Sequence, residues 1–143
     1  MKQAVTILML GLLAGLTGCA SAPWSHGKFT QTHAVIQVSE ASPYKWNLAL
    51  NNAQNLQQAL GKDNVTVEIV AYGAGLKMLK ADSKVAPRLN EALDNNVELA
   101  ACATTMKKLK LTKADLIGGA VVVPGGVIEI MKRQSEGWAY IKP

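Results

Sequence analysis

A chain of 143 residues is long enough for one ordinary domain and too short for two. Hydrophobic residues make up 49% and charged residues 17%, a balance that builds a core and excludes a disordered chain. The net charge of +5 is a modest excess whose densest cluster is Lys107, Lys108, Lys110 and Lys113. No aromatic-basic interleaving accompanies it, which excludes nucleic acid as a partner and leaves a solvated basic helix face as the main reading. Attraction to anionic substrates or lipid head groups is the alternative.

The first residues read as a targeting segment. Lys2 supplies a basic start, and Ala4 to Leu16 is an apolar run too short to span a bilayer by itself. Leu16-Thr17-Gly18-Cys19 then resembles the bacterial lipobox. The resemblance implies a signal peptide over 1–18, cleavage before Cys19, lipidation of its thiol and a tether over 19–32. Several acyl chains on one residue give lasting anchorage. Ala20 follows the cysteine, which favours the outer membrane, so the expected location is the periplasmic face of the bacterial envelope, lipid-anchored. An ordinary secretory signal cut near Ala20-Ser21-Ala22 is the competing reading. Under both, the mature chain keeps one free thiol, Cys102, in an oxidising compartment, where a lone thiol is either shielded or in use.

The single domain, 33–143, opens with the β-rich run His33–Val38. Ser42 is placed to cap a helix with Pro43 at its first position, and Gly61 ends it after Leu60. Trp46, Leu48, Leu50, Ala53, Leu56, Ala59 and Leu60 spread round much of this helix, which predicts that it is well buried. Asn47, Asn51 and Asn55 recur every four residues as one amide stripe, either a solvated face or a subunit contact. Asn64–Tyr72 is the second strand, followed by Gly73-Ala74-Gly75 and a short helix through Lys80. This glycine pair is not a dinucleotide fingerprint: it follows the wrong strand and lacks the third glycine. Ser83 is expected to cap a helix over Lys84–Asn95 with Val85, Leu89 and Leu93 inward.

Val97–Ala101 is the third strand, and it delivers Cys102 to the start of a short helix. Backbone N–H groups there favour a thiolate over a thiol, whereas free cysteine also often serves as a small packed hydrophobe. Thr112 and Asp115 form a capping pattern. Ala120–Val123 is the fourth strand, Pro124-Gly125-Gly126 turns into a helix from Val127 to about Ser135, and Trp138–Ile141 is the last strand.

Strands alternating with helices predict an α/β fold, a mainly parallel sheet with helices on both faces. Right-handed crossovers gather the strand ends on one edge, where such sheets bind ligands. That edge collects Ser39, Glu40, Tyr72, Gly73, Cys102, Thr104, Thr105, Pro124, Gly125 and Gly126. Cys102 is the candidate reactive group, expected at the open rim. Tyr72, Gly73, Thr104, Thr105 and Gly126 are the candidate pocket. No metal set, phosphate loop or Cys-His pair is apparent, so neither a metal nor a cofactor is expected. A redox enzyme is disfavoured because Cys-x-x-Cys and a resolving cysteine are missing.

Several stretches carry a family resemblance. They are Trp46–Ala53, Val70–Gly73 with Gly75–Leu79, Ala101-Cys102 with Thr105-Met106, Val123-Pro124 with Gly126-Val127, and Gly137–Pro143. On these the chain resembles the DsrE/DsrF-like family of sulfur-relay proteins from about His33 to its end. The resemblance implies a three-layer α/β/α sandwich with a five-stranded parallel sheet, and a homo-oligomer, trimeric or hexameric. It also implies a persulfide carried on a cysteine after the third strand, the position of Cys102, with a donor or acceptor protein or a small sulfur species as partner. A carrier is expected before a multi-step enzyme. The alternative is a non-catalytic oligomeric scaffold at the envelope with a small-ligand pocket at the sheet edge.

Overall fold

The computed structural model describes residues 32–143. The expected signal peptide, Cys19 and residues 19–31 of the expected tether lie outside the described residues, and Thr32, expected as the end of the tether, is the first residue of β1. The elements run β1 (Thr32–Val38), α1 (Pro43–Leu60), β2 (Val65–Ala71), a 3-10 segment (Gly73–Leu79), α2 (Ala86–Asp94), β3 (Val97–Cys102) and α3 (Ala103–Leu109). A 3-10 turn (Lys113–Asp115), β4 (Val121–Val123), α4 (Gly126–Ser135) and β5 (Ala139–Ile141) complete the chain.

The five strands form one parallel sheet in the order β4-β3-β2-β1-β5. After each of the first three strands the chain moves to the adjacent position. After β4 it crosses back over the sheet through α4 and adds β5 beside β1. That single long crossover places α4 alone on one face, in contact with β1, β2, β3 and β5, while α1 and α2 cover the other. The expected α/β sandwich with helices on both faces is the observed fold.

The two faces are filled differently. The α1/α2 face holds the main core, including Ile36, Val67, Ile69, Leu99, Leu76, Met78, Leu79 and Leu89, each at most 1% exposed. The α4 face holds a small cluster of Val35, Val70, Ala100 and Ile130.

Local signals account for most boundaries. The Ser42 side chain accepts the Lys45 N–H at 3.4 Å with Pro43 at the first helical position, and Gly61 ends α1 with φ of +88°. Thr112 and Asp115 form the reciprocal capping box, with the Thr112 N–H donating to Asp115 Oδ2 at 2.7 Å. Two expectations need correction. The helix does not start at Lys84: the Ser83 hydroxyl accepts the Val85 N–H at 3.4 Å and its carbonyl accepts the Ala86 N–H, but these bonds close a turn, and α2 starts at Ala86. Pro87 thereby falls in the first turn, where a missing N–H costs nothing. Nor is α1 buried all round. Trp46, Ala49, Leu50 and Ala53 are its buried stripe and Ala59 is exposed, because α1 lies on an outer layer and touches the sheet with one side.

The amide stripe has a partner within the chain. Arg88 of α2 donates from Nη1 to Asn47 Oδ1 at 2.6 Å and from Nη2 to Asn51 Oδ1 at 2.8 Å, tying α2 to α1. Asn55 stays exposed, as do Lys107, Lys108, Lys110 and Lys113.

Candidate functional site at the carboxyl edge of the sheet

Cys102 is both the last residue of β3 and the N-cap of α3, with extended backbone angles of −71° and 113°. Its register partner is Val123, so its side chain belongs to the α4 face. The residue is 5% exposed, so the sulfur does not stand at an open rim as expected. The first turn of α4 explains this: the chain returning from β4 closes over the end of β3.

Polar groups converge on the sulfur. The Thr105 N–H donates to Sγ at 3.4 Å. The Thr105 side-chain oxygen, itself buried, accepts the Gly73 N–H at 2.9 Å. With one lone pair taken by Gly73, the hydroxyl proton is free to turn to the sulfur. Burial pushes the Cys102 thiol up. Hydrogen bonding from the Thr105 hydroxyl and from the backbones of Gly126, Thr105 and Thr104 outweighs burial and brings it below the ordinary thiol value.

The glycines here are fixed by space. Gly73 has φ of +55°, a conformation that favours glycine. At Gly75 a Cβ would lie 2.3 Å from the Val38 carbonyl oxygen. At Gly126 a Cβ would lie 2.7 Å from Tyr72 Cβ, so the absence of a side chain lets α4 close on Tyr72. Thr104 donates to the Pro124 carbonyl at 3.1 Å and ties α3 to the same turn. Tyr72 itself is held protonated: burial raises its phenol, Tyr140 and Cys102 add to that, and a hydrogen bond with Ser39 opposes it. Tyr140 in turn bonds Gln37 through its hydroxyl.

Five of the expected residues, Tyr72, Gly73, Thr104, Thr105 and Gly126, are therefore brought round Cys102 by contacts among β2, α3 and α4. Glu40 lies farther off and accepts the Trp46 indole N–H through its carbonyl at 2.7 Å. Of the surface clefts, one lies between α1 and α2, lined by Gln54, Gln57, Arg88 and Glu91. Another, shallow one lies at the carboxyl edge between Gln37, Ser39, Glu40, Lys45 and Lys142. Neither is lined by Cys102.

Sequence reading missed a charged cluster under α4. Glu68 of β2 is fully buried and its Oε2 accepts from Arg133 Nε at 2.7 Å; its Oε1 has no protein partner. Arg133 also pairs with Glu129 at 3.0 Å, Glu98 at 3.4 Å and Glu136 at 3.5 Å. Its guanidinium lies 4.5 Å over Trp138, against which His33 stacks at 5.0 Å. Burial raises the Glu68 carboxyl above its ordinary value, and Arg133 reverses this in part. The signal was available: a lone acid inside Val65–Val70, a strand covered on both faces, must find a cation.

Comparisons with known proteins bear on the family and the fold. The model of the DsrE/DsrF-like family matches residues 34–143. A solved protein of unknown function from Methanobacterium thermoautotrophicum is 34% identical, with a TM-score of 0.76 over 79% of this chain and 100% of that one. A protein of unknown function from Bacteroides thetaiotaomicron, 15% identical with a TM-score of 0.62, covers 78% of this chain and 94% of its own. The ychN protein of E. coli, 14% identical with a TM-score of 0.60, covers 79% and 99%. These last two share the fold. No curated protein matches the chain.

Proposed function

Because the chain belongs to the DsrE/DsrF-like family, we propose that Cys102 carries sulfur as a persulfide. The observation behind this reading is the set of donors around one buried thiol: the Thr105 hydroxyl with the backbones of Gly126, Thr105 and Thr104. These groups stabilise negative charge on sulfur, the charge that thiol exchange requires of its nucleophile.

The exchange balances without an oxidant. The Cys102 thiolate attacks the outer sulfur of a persulfide donor, a Cys102 S–S bond forms, the donor's S–S bond breaks, and the donor leaves as a thiolate. An acceptor thiolate then attacks the outer sulfur of Cys102 and releases the Cys102 thiolate. The donors that lower the thiol also make Cys102 a good leaving group in this second step. Tyr72, kept protonated beside the site, is not a base at neutral pH; its hydroxyl can offer a hydrogen bond only.

The setting is the periplasmic face of the envelope, with the lipid on Cys19 and the outer membrane as its site. The working unit is a homo-oligomer, a trimer or hexamer. Its support is the apolar exposure of Val127, Ile128 and Met131 on α4 and of Val121 and Val122 on the edge strand β4.

The test is mass spectrometry of the folded protein after exposure to a small persulfide donor. One added sulfur atom on Cys102, absent in Cys102→Ser and removed by a thiol acceptor, is the expected result. No addition until denaturation overturns the carrier and leaves the scaffold reading.

A further inference from the structure

The helix that covers Cys102 is built inside out. Its outward residues Val127, Ile128 and Met131 are apolar and 53%, 63% and 62% exposed. Its inward side carries Glu129, 7% exposed, and Arg133, with Ile130 as the buried apolar anchor. A helix normally meets its sheet with an apolar stripe. Here ion pairs supply much of the attachment. Arg133 is the cation at which they meet: Glu68 comes from β2, Glu98 from β3, Glu129 from α4 itself and Glu136 from the cap that ends it. Lys132 adds weaker contacts to Glu129 at 3.7 Å and Glu136 at 4.0 Å from the solvent side. His33 of β1 reaches the cluster through its stacking on Trp138.

The opposite end of the same helix forms the Cys102 site. Gly126 opens α4, packs on Tyr72 and supplies one of the backbone groups acting on the sulfur. Seven residues, roughly 10 Å along a helix, separate it from Arg133. A helix of two to three turns moves as a rigid body, so what fixes one end fixes the other.

We propose that Arg133 is a positioning residue for Cys102: by tying the inner side of α4 to Glu68 and Glu98 it holds the Gly125–Gly126 turn against Tyr72 and over the cysteine sulfur. Without it, Glu68, Glu129 and Glu98 repel one another, the helix end lifts from the sheet, and the turn loses its seat. The inference rests on Cys102 as the reactive atom, the reading proposed above, but the thiol itself reports on it and no sulfur transfer is needed.

The experiment is the pH profile of Cys102 alkylation by iodoacetamide in the folded protein. In Arg133→Met the midpoint moves up by about half a pH unit, toward a free thiol, as the donors withdraw. The limiting rate rises roughly threefold as the cover loosens. Arg133→Lys recovers part of both shifts, since a single ammonium reaches fewer carboxylates than the planar fork. Because Arg133→Met leaves buried acids unpaired and can fail to fold, Glu68→Gln with Arg133→Met is made beside it. That pair removes one charge of each sign, so a shift there comes from geometry and not from a lost positive field. Amide exchange in β1 and β2 checks that the fold is intact. A midpoint unchanged from the parent in the folded double variant overturns the proposal. An upward shift without sulfur loading in the parent removes the carrier reading and leaves the positioning role standing.

Discussion

The two faces of the sheet divide the work of this domain. On the α1/α2 side, side chains from β1, β2, β3, the 3-10 segment, α1 and α2 form a deep apolar layer. On the α4 side the apolar cluster is small, and the buried groups include Glu68, Glu129, Thr105 and the Cys102 thiol. A dry core gains stability from every buried methylene but offers a charged or nucleophilic group no partner. A thin layer bordered by a helix terminus can hold such groups, because backbone donors and an arginine lie within reach. One face therefore fixes the sheet, and the other is free to carry chemistry.

Substitutions can break this division or sharpen it. Leu89→Ala, at a fully buried position of α2, is expected to cost about 3 kcal/mol in urea denaturation. It should leave the alkylation midpoint of Cys102 in place; a shifted midpoint would mean that the faces are coupled. Gly126→Ala drives a Cβ into the Tyr72 side chain and is expected to cost about 2 kcal/mol. Here the Cys102 midpoint should rise, since the first turn of α4 must back away from the sulfur. Thr105→Val removes the hydroxyl and orphans the Gly73 N–H, for about 1 kcal/mol. It too should raise the midpoint, and Thr105→Ser should restore it.

The smallest effect concerns Glu68. Its folded carboxyl titrates above the unfolded one because of burial, against the pull of Arg133. The folded state therefore holds that proton more tightly, and stability from this group falls as pH rises from the ordinary carboxylate value through the raised one. This is opposite to the pattern of a paired surface carboxylate. Glu68→Gln should flatten that part of the stability profile, read from denaturation midpoints between acid and neutral pH. An unchanged profile would show that Arg133 cancels the burial penalty.

Much of this was legible along the chain. Alternating strands and helices announced the parallel sheet, and Ser42-Pro43, Gly61 and the Thr112–Asp115 box marked boundaries that the structure keeps. Position after β3 put Cys102 beside Thr105 because an N-cap necessarily meets the third residue of its helix. The start of α2 was misread because Ser83 offered a plausible cap; only the placement of Pro87 in the first turn decides between the two starts. The burial of α1 was overstated because apolar residues scattered round a helix do not say which of them meets a neighbour.

What the order of residues determined by itself was local: periodicity, caps, glycines at turns, and a lone thiol delivered by a strand to a helix start. What the tertiary structure alone decided was the crossing of α4 over the whole sheet to reach β5. That crossing covers the sulfur, sets Gly126 on Tyr72 and brings Arg133 to Glu68, 65 positions away in the chain. Local patterns fix hydrogen bonds within a turn or two, whereas the meeting of residues that distant depends on which edge of the sheet the last strand takes.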